Sequence, residues 1–215
     1  MNKILKDIYE YHHTHERGEG FLLMEKERGA LFKTEIGKGK KVLDIGCRDG
    51  VLARYFTEGN TVVGIDVDEQ ALRRASRNFG IETVSMDLNG QWNEISGRTF
   101  DVIVAGEILE HLFYPEIVMQ KVKNHLTDSG MVLGSVPNAF NLKNRLRYLK
   151  GQKKYTPLED PTHVNHFSRR ELELLLRKHF SSVTIYPLGN YARFDKIVPG
   201  WFSYSLAFKV SNKIR

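Results

Sequence analysis

The chain has 215 residues and a net charge of +6, with 41% hydrophobic and 27% charged residues. A chain of this length can bury one sizeable core, and this composition is ordinary for a globular domain, which excludes a disordered or low-complexity protein. No apolar run approaches the roughly 18 residues of a membrane-spanning helix, and the single cysteine, Cys47, excludes an internal disulfide. With no basic-then-apolar leader at the amino terminus, we expect a cytoplasmic protein.

Residues 1–36 have a helical apolar pattern that is interrupted by a polar stretch. This stretch contains His12, His13 and His15, and so many histidines in close succession are compatible with a metal site. Because no cysteine lies nearby, we interpret the stretch instead as a mobile polar entry segment.

A strand predicted over residues 41–45 leads into a turn bracketed by Gly46 and Gly50. The apolar run of this strand is interrupted only by Asp44, near the strand end where open α/β sheets bind ligands. Glycine suits such a turn because, without Cβ, it adopts left-handed backbone angles and permits close approach to a ligand. The spacing D-x-G-x-x-x-G differs from the dinucleotide fingerprint, so the turn alone indicates either a nucleotide site or a tight strand-to-helix connection.

Apolar strand patterns alternate with helical patterns after this turn. The predicted strands cover residues 61–66, 81–86, 100–105 and 131–136, and the predicted helices cover residues 50–58, 68–79 and 114–126. Strands that alternate with helices require crossovers, so they predict a parallel sheet that is covered on both faces. Asp68 is positioned to cap the 68–79 helix, and Gly80 to end it.

The last part of the chain predicts one more helix and two strands. Ser168 and Glu171 have the spacing of a capping box for a helix that runs to about Lys178. Strands are predicted at residues 181–188 and 203–213.

Several of the predicted strands end at side chains that suit parts of a nucleoside. Asp66 ends the second strand, where an acid can accept hydrogen bonds from both hydroxyls of a ribose. Met86, Asp87 and Leu88 close the third strand and suit the face and the exocyclic amine of an adenine. The fourth strand is followed at once by the segment GEILEHL. This ordered set of four motifs resembles the class I S-adenosylmethionine-dependent methyltransferases, in the branch that includes ubiquinone-type O-methyltransferases, over about residues 38–180.

The resemblance implies a Rossmann-like α/β fold, with a doubly wound, mostly parallel seven-stranded sheet and one antiparallel strand at the carboxyl-terminal end. It implies one methyltransferase domain over residues 1–215, with an amino-terminal helical cap (1–37), a cofactor-binding half (38–136) and a substrate-side half (137–215). The implied cofactor is S-adenosyl-L-methionine. By motif position, the residues expected at the cofactor are Asp44, Gly46, Cys47, Arg48, Gly50, Asp66, Val67, Met86, Asp87, Leu88 and Glu107.

The parts of the cofactor are assigned by the same resemblance. Asp44 and the glycine turn are expected to face its amino acid part, Asp66 its ribose and residues 86–88 its adenine. Tyr11 and Arg17 are candidate contacts of the helical cap. The turn departs from the family pattern, because an arginine stands at position 48 where a small residue is commoner, and this change affects how closely the backbone approaches the ligand.

Glu107, Glu110 and His111 are spaced so that, on a helix, they would share one face. Their E-x-x-E-H arrangement resembles the metal-binding motif of ubiquinone-type O-methyltransferases and of small-RNA 2′-O-methyltransferases, so a divalent metal at these residues is one hypothesis. The alternative is that Glu107 lines the cofactor pocket while the other two form structural hydrogen bonds. We assign no metal ligand on the sequence alone.

The segment DPTHVNHFS places His163 and His166 beside Asp160. A histidine can take a proton from a substrate hydroxyl, and a neighbouring carboxylate can orient its ring. His163 is therefore the candidate catalytic base, although it could also serve only to bond the loop backbone. His111 is a second catalytic candidate, either as a metal ligand that lowers the pKa of the hydroxyl or as a bystander.

Residues 141–154 carry six Lys and Arg and no acid, and the aromatic connection 190–202 is unusually long. The basic run is compatible with a solvated helix face, nucleic acid, an anionic membrane surface or an acidic substrate. We expect a methyltransferase that acts on a small-molecule, sugar or lipid-linked acceptor, most simply at a hydroxyl oxygen. The alternatives are an RNA methyltransferase or nucleic-acid binder that uses the basic run, and a protein that binds the cofactor without turnover.

Overall fold

The computed structural model describes residue 20 and residues 23–214. Some residues singled out in the sequence lie outside this part of the chain: Tyr11, His12, His13, His15 and Arg17.

Seven strands form one sheet, in the order β3-β2-β1-β4-β5-β7-β6. The strands are β1 (Lys41–Ile45), β2 (Thr61–Asp66), β3 (Glu82–Ser85), β4 (Phe100–Gly106), β5 (Leu126–Pro137), β6 (Phe180–Leu188) and β7 (Ser205–Lys213). The first five pair in parallel, whereas β7 is antiparallel to both of its neighbours. The prediction of a doubly wound, mostly parallel seven-stranded sheet with one antiparallel strand is therefore confirmed.

Five helices connect or flank these strands in the described part of the chain. They are α1 (Glu25–Ile36), α2 (Glu69–Phe79), α3 (Pro115–His125), α4 (Leu142–Leu149) and α5 (Arg169–Arg177). The Asp68 carboxylate accepts hydrogen bonds from two backbone N–H groups in the first turn of α2, and Ser168 with Glu171 forms the predicted capping box of α5. None of these helices is both long and apolar enough to cross a membrane.

Both faces of the sheet are buried, as the alternation of side chains along β1 illustrates. Leu43 and Ile45 belong to one apolar cluster, whereas Val42 belongs to the cluster on the other face. Burying each such side chain contributes about 1.5 to 3 kcal/mol. Helices and loops must therefore cover both faces, which leaves the edge at the carboxyl ends of the strands for a ligand site.

The position of that site follows from the strand order. From β1 the chain first adds β2 and β3 on one side, and then crosses over to add β4 on the other side. Open α/β sheets bind ligands where the winding direction reverses in this way. The crevice lies where β1 ends at Ile45 and β4 ends at Gly106.

Two element predictions are wrong in detail. The helix predicted at 50–58 is only a short 3-10 turn, Ala53–Tyr55, since Val51, Leu52 and Ala53 are all buried and three consecutive residues cannot occupy one face of an α-helix. The fifth strand begins at residue 126 instead of 131, because Leu126 pairs with Phe100 ahead of a register irregularity, after which Met131 pairs with Val102.

Candidate active site

The glycine turn after β1 is fixed by hydrogen bonds to β2. The backbone N–H groups of Gly46 and Cys47 both donate to the carbonyl oxygen of Ile65. A Cβ at Gly46 would lie 2.6 Å from the Ile108 side chain, and its φ of 71° is left-handed, so this position requires glycine. Arg48 also has a positive φ, of 50°, so the backbone takes a glycine-like path despite the larger residue.

Asp66, at the end of β2, is held by the same turn. Its carboxylate oxygens accept hydrogen bonds from the backbone N–H groups of Arg48 and Asp68, each at 2.9 Å. The carboxylate is buried, and a carboxylate at this position suits the vicinal hydroxyls of a ribose. Val67, which follows it, is half-buried.

Asp44 is a fully enclosed carboxyl group at the bottom of the crevice. Burial, followed by the charge of Asp66, raises the pKa of Asp44 to about 8, while the Arg28 guanidinium acts in the opposite direction. Its Oδ2 has no hydrogen-bond partner among the described residues. Burial and the nearby acids also raise the pKa of the Cys47 thiol, so Cys47 serves as a small apolar residue and not as a nucleophile. A buried carboxyl oxygen of this kind fits the ammonium group of a bound amino acid.

The residues expected at the adenine follow Asp66 across the sheet. The Met86 backbone N–H donates to the Asp66 carbonyl oxygen at 3.0 Å, and the Met86 and Leu88 side chains are buried. The Asp87 carboxylate accepts a hydrogen bond from the Asn89 backbone N–H, which holds the turn after β3.

A buried ion pair joins α1 to the end of β4. The Arg28 guanidinium lies 3.1 Å from the Glu107 carboxylate and also donates to the Ser135 hydroxyl at 3.1 Å. Glu107 in turn accepts a hydrogen bond from the Ser205 hydroxyl. Arg28 was missed in the sequence, although it lies at helical spacing from the buried Phe32 and Ile36. A cation within an apolar helix face is the signal that could have identified it.

The prediction that Glu107, Glu110 and His111 share one helix face is wrong. Glu107 has a left-handed φ of 57°, which ends β4, and only Leu109–His111 form a short 3-10 turn. Glu107 therefore points to Arg28, whereas Glu110 and His111 belong to a different cluster. The proposed metal set of these three residues is accordingly not formed.

The structure instead places His163 beside Glu110 and His111. One potential ligand atom from each of these three residues lies within 4.8 Å of those of the others, and two of the three side chains are buried. The imidazole rings of His111 and His163 meet edge to face, with their centroids 4.8 Å apart. Two imidazoles and a carboxylate form a donor set that suits zinc or another divalent transition metal.

Hydrogen bonds fix the tautomers of both rings. The Nδ1 atoms of His111 and His163 lie 3.0 and 2.9 Å from the carbonyl oxygens of Thr162 and Pro157. A carbonyl oxygen only accepts, so each Nδ1 carries hydrogen and the lone pair of each neutral ring is on Nε2. His163 Nε2 lies 3.5 Å from the Asp160 carboxylate, which would stabilise the positive charge of the ring once Nε2 is protonated.

One cavity of about 270 Å³ joins the glycine turn to the candidate base, whereas Asp44, Asp66 and residues 86–88 do not line it. Cys47 and Arg48 line it at the glycine turn, and Asp160 and His163 line it at the other end. Arg28 and Glu107 lie in its wall, so the candidate base faces the same space as the cofactor-type turn.

A second, more apolar cavity of about 710 Å³ lies beside the first. Leu23 lines the first cavity, whereas the next residue, Met24, lines the second with Leu146 and Trp201. Residues from both of the predicted substrate-side segments therefore bound this second cavity.

Comparisons with known proteins agree with this geometry. A family model described as a methyltransferase domain matches residues 16–179. The chain is 30% identical over 171 residues to a ubiquinone biosynthesis O-methyltransferase of Nitrosococcus oceani, covering 71% of this chain and 72% of that protein. It is 32% identical over 120 residues to a protein of the same name from Neisseria meningitidis, covering 52% of this chain and 48% of that protein. The chain spans about half the length of the first curated relatives it matches.

Solved structures share the fold at lower identity. A SAM-dependent methyltransferase from Archaeoglobus fulgidus superposes with a TM-score of 0.66 at 18% identity, covering 88% of this chain and 94% of that one. An N-methyltransferase from Bradyrhizobium japonicum, solved in complex with S-adenosyl-l-homocysteine, gives a TM-score of 0.66 at 17% identity, covering 96% and 97% of the two chains.

Proposed function

The chain belongs to the methyltransferase domain family, and we propose that it uses S-adenosylmethionine to methylate a hydroxyl oxygen of a small-molecule, sugar or lipid-linked acceptor. The observation that carries this proposal is the single cavity that joins the glycine turn after β1 to His163. Such a cavity can bring the transferred methyl group of a donor at the turn close to an acceptor beside the base.

Residues of β1, β2 and β3 would hold the cofactor. The buried Asp44 carboxyl and the turn 46–50 suit its amino acid part, Asp66 its ribose hydroxyls, and residues 86–88 its adenine. Arg28 joins the residues predicted from the sequence, because it lines the cavity. Its Nε has no hydrogen-bond partner among the described residues, so the guanidinium suits the cofactor carboxylate. When bound, the cofactor supplies a methyl group that its sulfonium has already activated.

The protein would then align the acceptor and remove its proton. His163 Nε2 would accept the hydroxyl proton of the acceptor as the acceptor oxygen takes the methyl group that the cofactor supplies. Asp160 stabilises the resulting imidazolium, and the carbonyl oxygen of Pro157 keeps the ring oriented through Nδ1.

A divalent cation held by Glu110, His111 and His163 is a second way to activate the acceptor. The observation in its favour is the clustering of the three potential ligand atoms within 4.8 Å around a buried carboxylate. A cation there would lower the pKa of a coordinated hydroxyl. His163 Nε2 cannot ligate a cation and accept a proton at the same time, so a chelation experiment separates the two mechanisms.

The acceptor class is inferred from the second cavity and from the relatives. The curated relatives are named for ubiquinone biosynthesis and O-methylation. The apolar second cavity suits the ring or chain of a hydrophobic acceptor. Both features support a hydroxylated, ring-bearing or lipid-linked acceptor.

Two measurements test the proposed function. Calorimetry with S-adenosylhomocysteine should show stoichiometric binding, and incubation with S-adenosylmethionine and a panel of hydroxylated acceptors should release S-adenosylhomocysteine. Amine acceptors in the same panel show whether the protein methylates oxygen or nitrogen. Absence of cofactor binding would contradict the proposal, whereas binding with no release from any acceptor would favour the non-catalytic alternative.

A further inference from the structure

Helix α4 presents the reverse of the usual surface-helix pattern. Its Asn144 is buried, and the amide of that residue lies 3.3 Å from the carbonyl oxygen of Asn138, whereas Leu146 and Leu149 point outward. Leu149 is 84% exposed. A surface helix of a globular domain normally buries its leucines, so this exposed apolar face indicates a contact outside the chain.

The connection between β6 and β7 extends the same apolar face. Leu142 donates its backbone N–H to the carbonyl oxygen of Trp201, and the Arg145 guanidinium lies 5.2 Å from the centre of the Trp201 ring. In this connection, Ile197 is 77% exposed, and Val198 and Trp201 are also exposed. We call residues 141–154, which contain α4, together with residues 190–202 the basic apolar surface.

The exposed charge of this surface is entirely positive. The six Lys and Arg of residues 141–154 form no ion pair within the described part of the chain, and residues 190–202 add Arg193 and Lys196. The acid in the connection, Asp195, is buried and accepts hydrogen bonds from the backbone N–H groups of Phe202 and Ser203. A partner must therefore be negatively charged and must also cover aliphatic side chains.

We propose that the basic apolar surface docks on an anionic lipid bilayer, with Leu149, Ile197 and Trp201 entering the interface and the surrounding lysines contacting lipid head groups. Tryptophan and aliphatic side chains favour the interface, and each basic residue near an anionic leaflet adds to the attraction. Nucleic acid fits less well, because Leu149 and Ile197 offer no stacking face for a base and no charge for a phosphate.

The orientation would bring the second cavity to the membrane. Lys143, Leu146 and Tyr191 line that cavity and belong to the docking surface. A lipid-linked acceptor could then enter from the bilayer, although binding of the surface to lipid does not depend on the proposed reaction.

Cosedimentation of the full chain with vesicles tests the proposal without using turnover. Vesicles of phosphatidylcholine with about one third phosphatidylglycerol should bind at least tenfold more tightly than pure phosphatidylcholine, and added salt should weaken the binding. The double variant Leu149→Ser/Ile197→Ser and the triple variant Lys150→Gln/Lys153→Gln/Lys154→Gln should each lower the binding about tenfold or more. All five positions are exposed, so these variants should fold normally.

Control variants carry comparable changes elsewhere on the surface. Leu174→Ser and the triple variant Lys33→Gln/Lys40→Gln/Arg77→Gln should leave vesicle binding within about twofold of native. Failure to bind anionic vesicles at low salt, or equal losses in the controls, would overturn the proposal. Binding of single-stranded RNA that Leu149→Ser/Ile197→Ser leaves unchanged, without vesicle binding, would assign the surface to RNA instead.

Discussion

The guanidinium of Arg28 lies 3.1 Å from the carboxylate of Glu107, and both side chains are almost completely removed from solvent. The pair connects α1 to the residue that ends β4, where the backbone of Glu107 has a left-handed φ. The first helix is thereby attached to the wall of the first cavity through a charge interaction in a low-dielectric environment.

Loss of one partner of this pair should destabilise the protein strongly. We expect Arg28→Ala to lower the free energy of unfolding by about 3 to 5 kcal/mol, because it leaves a buried carboxylate without its cation. Urea unfolding of Arg28→Ala, Glu107→Ala and the double variant should give a coupling energy above about 1 kcal/mol. The exposed pair Lys38 and Glu58, at 3.0 Å, is the matched control and should couple by less than that.

Asp66 should dominate recognition of the ribose. Removing an ionised acceptor of two hydrogen bonds should cost about 3 kcal/mol or more, so Asp66→Ala should weaken S-adenosylhomocysteine binding at least about 100-fold in calorimetry. Asp66→Asn, which keeps one side-chain acceptor, should lose less. Glu69→Ala, nearby on α2, is the control, and equal affinities of native protein and Asp66→Ala would contradict the assignment.

The raised pKa of Asp44 predicts that stability falls with increasing pH. Its folded-state pKa is about 8 and its ordinary value is 3.8, so between these values the folded protein binds a proton that the unfolded chain does not. The contribution of protonated Asp44 to the free energy of unfolding is fully present below pH 3.8 and is lost as the pH rises towards 8. The loss is at most about 1.4 kcal/mol per pH unit.

Asp44→Asn should remove this dependence, because an amide resembles the protonated carboxyl group. Urea unfolding between about pH 5 and pH 7.5 should therefore show a flatter profile for Asp44→Asn than for native protein. Asp101→Asn, at the start of β4, should keep the native slope. Parallel profiles for native protein and Asp44→Asn would show that Asp44 is ionised throughout this range.

His163 should affect turnover and not cofactor binding. General-base catalysis is typically worth about 100- to 10,000-fold, so His163→Ala should lower turnover at least 100-fold while cofactor affinity changes less than about threefold. His125→Ala, at the end of α3, is the control. Turnover of His163→Ala within about tenfold of native would show that alignment of the reactants is sufficient.

Binding of a cation at this site can be measured by the melting temperature, without an activity assay. If Glu110, His111 and His163 bind Zn²⁺ or Mn²⁺, a concentration 100-fold above the dissociation constant should raise the melting temperature by about 5 °C or more. Glu110→Gln and His111→Gln should abolish the rise, whereas His125→Gln should keep it. No rise in native protein, together with turnover that resists a chelator, would leave proton removal to His163 alone.

The sequence predicts the alternating strands and helices well, because the sequence patterns that identify them are local. Apolar runs, the Asp68 cap and the Ser168 capping box depend on neighbours in the chain, and they identify the strands, α2 and α5. The helix predicted at 50–58 failed because burial of three consecutive residues comes from the fold, and local periodicity does not report it.

The site is predicted less completely, because its key contacts join distant residues. The spacing of Glu107, Glu110 and His111 favoured one shared helix face, but the left-handed backbone of Glu107 directs it to Arg28 instead. His163, more than fifty residues downstream of Glu110, takes its place in the cluster. Pairings over such separations depend on the sheet order and are not encoded in any one motif.

The position of β7 inside the sheet has a consequence for synthesis of the chain. β7 follows β6 in sequence but lies between β5 and β6, so β6 has no partner strand until β7 has left the ribosome. Until then the edge of β5 also presents unpaired N–H and carbonyl groups, and a strand of another nascent chain can form hydrogen bonds with them. Release of residues 205–213 is therefore the step that closes this edge and ends the period of greatest aggregation risk.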